Sequence, residues 1–332
     1  MHKYYLITPT VTSPSFDPGC TFIRWGLRHL IKAADPKAVF LPCSDVNFDS
    51  SVWKLLYDQG SCLILAGIPL YMSGNVHCFW DWDIWPLAKA AVAHNIPVVD
   101  LFGYSKLSFP SSSPEVMSAS LLGESRTSRT LDIQSLFSLI ITRDKASSII
   151  ASRAKPGVKA LPCSGFWAAQ FAGVKPRSRQ FNAVAIRYKP GDPWFLDPLY
   201  RISLDLGAPS RCFMVCHTAA EYWWAKAILP KDANLICLFD PFSLLDFYSR
   251  CEHVVSLRLH ASIPALSLGC KVCNLSIDTR SDALDLIGVR SVPYTLLKKP
   301  PVSLDFQSLS PKAFPSSQPF IDLFQSQVIP VL

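Results

Sequence analysis

The stretch from Val254 to Asp278 limits the possible folds more than any other in the chain. It reads Val-Val-Ser-Leu-Arg-Leu-His-Ala-Ser-Ile-Pro-Ala-Leu-Ser-Leu-Gly-Cys-Lys-Val-Cys-Asn-Leu-Ser-Ile-Asp. A short apolar run ends in an arginine and a histidine, small and apolar residues follow, and after Gly269 comes a second apolar run. That order predicts strand, helix, strand, the repeating unit of a parallel α/β sheet. The strand carries Arg258 and His260 to its carboxyl end, where ligands of open parallel sheets bind. Residues two apart on a strand share a face, so the pair is expected to reach one small anion together. Pro264 is expected in the first turn of the helix, where proline is tolerated. A surface ion pair or a buried, satisfied histidine would read the same way, so the pair has to be weighed against the rest of the chain.

The same alternation extends over most of the 332 residues. In the first half, strands are predicted at Lys3–Thr8, Ala38–Pro42, Ser61–Ala66, Ile96–Phe102, Leu136–Thr142 and Val158–Pro162. Helices are predicted at Phe22–Ala34, Ser51–Gln59, Leu87–His94, Glu115–Leu122 and Lys145–Arg153, the last capped by Asp144. Gly173–Gln180 reads as a linker. Strands then return at Phe181–Arg187, Arg211–Cys216 and Leu235–Phe239, with helices at Leu196–Leu206, Ala219–Leu229 and Pro241–Cys251. The expected organisation is a Rossmann-like domain over 1–175 and a second over 176–304. A tail over 305–332 has an apolar piece, Phe320–Val328, suited to packing back on the first domain.

Bulk composition narrows the function. Apolar residues make up 49% and charged residues 17%, with a net charge of +7. The basic residues are scattered, with no run longer than Lys298-Lys299, whereas a nucleic-acid binder gathers its charge on one face or helix. An enzyme with anionic ligands, or weak attraction to an acidic membrane surface, fits better. Many of the 11 cysteines lie in apolar runs, including Cys62, Cys212, Cys216, Cys237, Cys270 and Cys273. They are expected to be buried free thiols in a reducing compartment. Cys270 and Cys273 lack the second pair that a zinc ribbon needs, and no metal is expected. Tyr4–Thr8 is too short for a signal peptide and is broken by Pro9. No run of 18 apolar residues predicts a membrane span. A cytoplasmic protein, with peripheral membrane contact left open, is expected.

Four strands of the second half end in polar residues: Arg187, His217, Asp240, and Arg258 with His260. Two arginines grip a carboxylate or phosphate as a fork, and a histidine beside them moves a proton near neutral pH. The expected substrate is a small polyanion that reacts by proton transfer. In the first half, Trp80, Asp81, Trp82 and Asp83 alternate rings and carboxylates after the loop at Gly67. This suits a sugar platform, and equally a packed surface loop with solvated acids. The Pro9–Gly19 loop has no Gly-x-Gly-x-x-Gly fingerprint, which gives a dinucleotide little support.

At these residues the chain resembles the polysaccharide pyruvyl transferase family. The resemblance rests on Ser256-Leu257-Arg258-Leu259-His260-Ala261 with Ala265–Gly269, on Ile141-Thr142-Arg143-Asp144-Lys145-Ala146-Ser147, on Ala185-Ile186-Arg187 and on Ile64-Leu65-Ala66-Gly67. The chain departs from the family at Leu161-Pro162-Cys163-Ser164, where an acid is usual, and at Asp17-Pro18-Gly19-Cys20, where an Asn-x-Gly-Asp pattern is clearer. The resemblance implies a fold like glycosyltransferase type B, two Rossmann-like domains facing a cleft. It implies transfer of a pyruvyl group from phosphoenolpyruvate to two hydroxyls of a glycan or lipid-linked sugar, giving a ketal with no cofactor. It implies His260 as the proton-transfer residue, and Arg187, Arg258 and His217 on the donor side. Trp80, Asp81, Trp82 and Asp83 would face the acceptor. A nucleotide-sugar glycosyltransferase of the same architecture and a non-catalytic glycan-binding relative are the alternatives.

Overall fold

The computed structural model describes residues 2–7, 18–41, 62–72, 85–107, 113–189, 191–298, 304, 306–309 and 314–332. Two parallel sheets carry it. The first is built from β1 (Lys3–Ile7), β2 (Val39–Leu41), β3 (Cys62–Ala66), β4 (Pro69–Met72), β5 (Val98–Lys106), β6 (Leu139–Thr142) and β7 (Lys159–Ala160). Its order is β2-β1-β3-β5-β6-β7, with β4 paired to β5 off that path. The second uses β8 (Phe181–Ala185), β9 (Cys212–Cys216), β10 (Leu235–Cys237), β11 (Cys251–Ser256), β12 (Lys271–Ser276) and β13 (Val292–Pro293), in the order β10-β9-β8-β11-β12-β13. Strands buried on both faces have no polar side to display. Hence β3 is Cys-Leu-Ile-Leu-Ala, buried throughout.

The helices of the first half are α1 (Pro18–Ala34), α2 (Trp85–Ala93), α3 (Pro114–Leu122), α4 (Ser125–Gln134), α5 (Lys145–Ala151) and α6 (Ala168–Ala172). Those that follow are α7 (Leu196–Asp205), α8 (Ala219–Ile228), α9 (Pro241–Ser249), α10 (Leu259–Ser267) and α11 (Gln318–Gln327). Short 3-10 turns cover Ser164–Trp167 and Thr279–Ile287. The predicted helix at Ser51–Gln59 falls outside the described residues.

One apolar core joins the two halves. It takes Phe22, Leu27 and Leu30 from α1, Val254 from β11, and Ile263 and Leu266 from α10. The axis of this seam is α1. Its Gly26 lies so close to the Ser164–Trp167 turn that a Cβ there would stand 1.7 Å from the Ser164 carbonyl oxygen. A glycine inside the helix is explained by that backbone-to-backbone approach. The tail returns as α11, whose Phe320 stacks on Phe102 at 6.0 Å, while Gln325 donates to the Ala34 carbonyl at 2.9 Å.

Three local expectations change. β5 runs past Gly103 to Lys106, because a bulge at Phe102, with φ of 64°, restarts its pairing beyond the expected end. β11 stops at Ser256, so Arg258 is the N-cap of α10 and His260 lies in its first turn. Pro264 therefore sits inside α10 rather than in its first turn. It has no N–H to return to the His260 carbonyl one turn earlier.

Candidate active site

The carboxyl ends of β8, β11 and β12 face the carboxyl ends of β5 and β6 across a cleft. Arg143, Arg187, Arg258, His260, Asp278 and Arg280 line it, together with Leu257, Leu259, Ile277 and Ser281. Each polar group arrives where a strand gives way to a turn or helix, the edge at which parallel sheets leave backbone free to turn inward.

His260 is held by the opposite half. Gly19, in the first turn of α1, lies against its ring, and a Cβ at position 19 would come within 2.4 Å of Nδ1. Nε2 lies 3.4 Å from Nη1 of Arg143 and 4.0 Å from the Cys163 thiol. Three elements of the first half thus meet one imidazole from the second.

Arg143 follows β6 and is only 1% exposed. Its guanidinium stacks on the Tyr104 ring at 3.7 Å, and Nε has no hydrogen-bond partner among the described residues. Burial pushes the Tyr104 phenol up to about 12, and the neighbouring Arg143 charge partly opposes that rise. Arg143 forms no ion pair with a carboxylate among the described residues, and Asp278, the carboxylate lining the same cleft, is already gripped by Arg280 and Arg187, so this buried guanidinium is suited to receive an anion.

The other arginines are already engaged. Asp278 takes Arg280 in a fork at 2.8 and 2.6 Å and Arg187 at 3.4 Å. Burial raises the Asp278 carboxyl even so, because loss of water outweighs the attraction of Arg187, Lys106 and Arg143. Arg258 pairs with Glu221 and donates from Nε to the Ile186 carbonyl at 3.1 Å. Glu221 is fully buried and also accepts from the backbone amides of Tyr188 at 2.9 Å and His217 at 2.8 Å. One carboxylate therefore fixes two strand ends and one cleft arginine.

Arg187, Arg258 and His260 come together in the cleft, as the sequence led one to look for. His217 lies elsewhere: it is fully buried, its Nε2 bonded to the Tyr248 hydroxyl at 3.0 Å, and it is not among the residues that line the cleft. The strand alternation turns its ring toward α9. Asp240 is exposed and caps α9, accepting from Ser243 N at 2.7 Å. Trp80, Asp81, Trp82 and Asp83 lie outside the described residues. Arg143, Arg280 and Glu221 carried no predicted role. For Arg143 the signal was present, an arginine directly after an apolar strand. Glu221 was readable as the acid of Thr218-x-x-Glu, the helix-start pattern, but its grip on Arg258 is a long-range contact.

The described cysteines are all free, and all are buried except the half-buried Cys20 and Cys237. Among the described residues, no three His, Cys, Asp or Glu side chains gather as a metal would require. No helix there is long and apolar enough to cross a membrane.

Solved structures of similar fold include S. aureus MnaA in a co-structure with UDP. It has 12% identity and a TM-score of 0.53, covering 90% of this chain and 86% of that one. The UDP-GlcNAc 2-epimerase of Methanocaldococcus jannaschii matches at 9% identity and a TM-score of 0.52, over 98% and 100% of the two chains. The Neisseria meningitidis enzyme, bound to UDP-GlcNAc, matches at 12% and 0.50, over 89% and 88%. These likenesses establish the architecture, two Rossmann-like halves arranged as in glycosyltransferase type B. No curated protein matches the chain. The family model described as polysaccharide pyruvyl transferase matches residues 18–279, which takes in α1, the strands from β2 to β12, and Gly19, Arg143 and Cys163 beside His260. The chain belongs to the polysaccharide pyruvyl transferase family.

Proposed function

We propose that this protein transfers a pyruvyl group from phosphoenolpyruvate to two hydroxyls of a glycan, forming a cyclic ketal and releasing phosphate. The observation that carries the reading is Arg143, a buried guanidinium lining the cleft, 3.4 Å from His260, with no carboxylate partner among the described residues. A donor with a carboxylate and a phosphate supplies the missing negative charge. Arg187 and Arg258, steadied by Asp278 and Glu221, take its second anionic group.

In this reading a proton adds to the methylene carbon of the enol, and the central carbon becomes cationic beside its oxygen. A sugar hydroxyl adds there and gives up its proton. The C–O bond to phosphate breaks with its electron pair, and the second hydroxyl closes the ring. His260 is the proton-transfer group. It accepts the proton of the attacking hydroxyl and delivers one to the methylene carbon, and the proton of the second hydroxyl leaves with the phosphate.

The relatives of similar fold that are seen with UDP raise a nucleotide-sugar reading. It would need a carboxylate at the strand ends for ribose hydroxyls. Here Glu221 and Asp278 are both occupied by arginines, which favours the small polyanion.

Calorimetric titration with phosphoenolpyruvate tests the reading. The unaltered protein is expected to bind it. Arg143→Met, which keeps an apolar stem on Tyr104, is expected to weaken binding at least tenfold, since loss of one charged partner is typically worth about 2–5 kcal/mol. No binding by the unaltered protein, or equal binding by Arg143→Met, would overturn it.

A further inference from the structure

The loop after β8 begins in the cleft and then leaves it. Arg187 lines the cleft, and the next residue, Tyr188, turns the other way with 45% of its surface exposed. Its position is fixed, because its amide donates at 2.9 Å to Glu221, the carboxylate that pairs with cleft Arg258. From exposed Tyr188 a continuous set of rings runs along the edge of the core, where Phe195 and Tyr294 are buried. Tyr188 meets Trp224 edge-on at 5.4 Å, and Trp224 packs on buried Phe195 at 6.0 Å. Phe195 meets Trp194 at 6.1 Å, and Trp194 is tilted by 30° to the Tyr294 ring, 5.5 Å away. Trp194 and Trp224 remain half-buried rather than covered.

Charged groups are set among these rings. Lys189 donates to Asp192 at 2.7 Å and to the Tyr294 hydroxyl at 2.6 Å. The Lys298 ammonium lies 4.8 Å from the Trp194 ring centroid. Planar rings beside a carboxylate and ammonium groups match the two sides of a pyranose, an apolar C–H face and a belt of hydroxyls. The same mixture suits a bilayer poorly, since insertion would bury the Lys189–Asp192 pair without water.

We propose that this ridge is a carbohydrate subsite that leads the acceptor chain into the arginine cleft. Tyr188 is its exposed stacking ring, while Lys189, Asp192 and Lys298 contact hydroxyls. The proposal rests on the pyruvyl transfer reading only for the word acceptor, because glycan binding by the ridge can be measured without turnover.

The test uses the whole protein on an immobilised panel of neutral and acidic pyranoside oligosaccharides, alongside vesicles of phosphatidylcholine with phosphatidylserine. The unaltered protein is expected to retain a subset of glycans. Tyr188→Phe keeps the ring and should keep that subset, whereas Tyr188→Ala should lose it by ~10-fold or more. Folding of each variant is checked by thermal melting. A panel with no glycan retained overturns the proposal. So does a folded Tyr188→Ala protein that retains the same glycans, or one that instead loses vesicle binding. Glycan binding through the ridge without phosphate release from phosphoenolpyruvate would sink the transfer reading and leave the subsite standing.

Discussion

At the scale of residues, the site depends on one imidazole and the groups that surround it. His260→Asn retains a hydrogen-bonding group and removes proton transfer near neutral pH. The expected outcome is a folded protein that binds phosphoenolpyruvate within about tenfold of the unaltered one and turns over ~10²–10⁴-fold more slowly. Steady-state kinetics with calorimetry reads both. Full turnover by His260→Asn would remove the residue from the chemistry. The sequence made Arg258 and His260 visible as a pair because charged side chains are rare at the end of an apolar run. It gave the wrong local geometry, since a strand was extended by two residues through what is the N-cap of α10. The partners of His260 could not be read at all. Gly19, Arg143 and Cys163 lie 241, 117 and 97 positions away along the chain, and no periodicity records such contacts.

At the scale of elements, β5 and α4 share a buried polar chain. Tyr71 donates to Gln134 at 2.7 Å, and Gln134 donates to Asp100 at 2.9 Å, inside an otherwise apolar layer. Burial pushes the Asp100 carboxyl up to about 7, with the Gln134 hydrogen bond opposing it. A carboxyl raised on folding binds more protons in the folded state than in the unfolded chain. Its contribution to stability is therefore fully present below about pH 4 and lost as the pH climbs through about 7. Asp282 drifts in the same direction, lifted to about 7 by burial and by Asp285, Asp144 and Asp278. Asp100→Asn should therefore melt higher than the unaltered protein at pH 8 by more than at pH 5, with a gain on the order of 1–3 kcal/mol at the upper end. Urea unfolding at the two pH values decides it, and an equal difference at both would mean that Asp100 does not titrate in this window. Most strand and helix positions were legible, because alternating apolar runs and helical spacing are local signals, but α4, a polar stretch with few apolar residues, carried no expectation. The bulge at Phe102 and the strand β4 were not, since both arise from pairing with a neighbouring strand.

At the scale of the whole molecule, two parallel sheets turn their carboxyl edges toward one another, and α1 fixes the distance between them. The alternation of strands and helices made the fold class readable from sequence. The shared apolar core did not show there, because Phe22 in α1 and Ile263 in α10 look like ordinary helix residues until they are seen in one cluster. That core explains why a histidine of the second half is completed by a helix start, an arginine and a thiol of the first. The most direct measurement of the central claim is a two-substrate assay. The protein is incubated with phosphoenolpyruvate and with the glycans it retains, phosphate release is followed, and the glycan product is examined by carbon NMR. The account predicts phosphate release that requires both substrates, a new methyl and ketal carbon on the sugar, and loss of both signals in Arg143→Met and His260→Asn. Phosphate released without glycan, or glycan consumed from a nucleotide sugar with no ketal carbon, would contradict it.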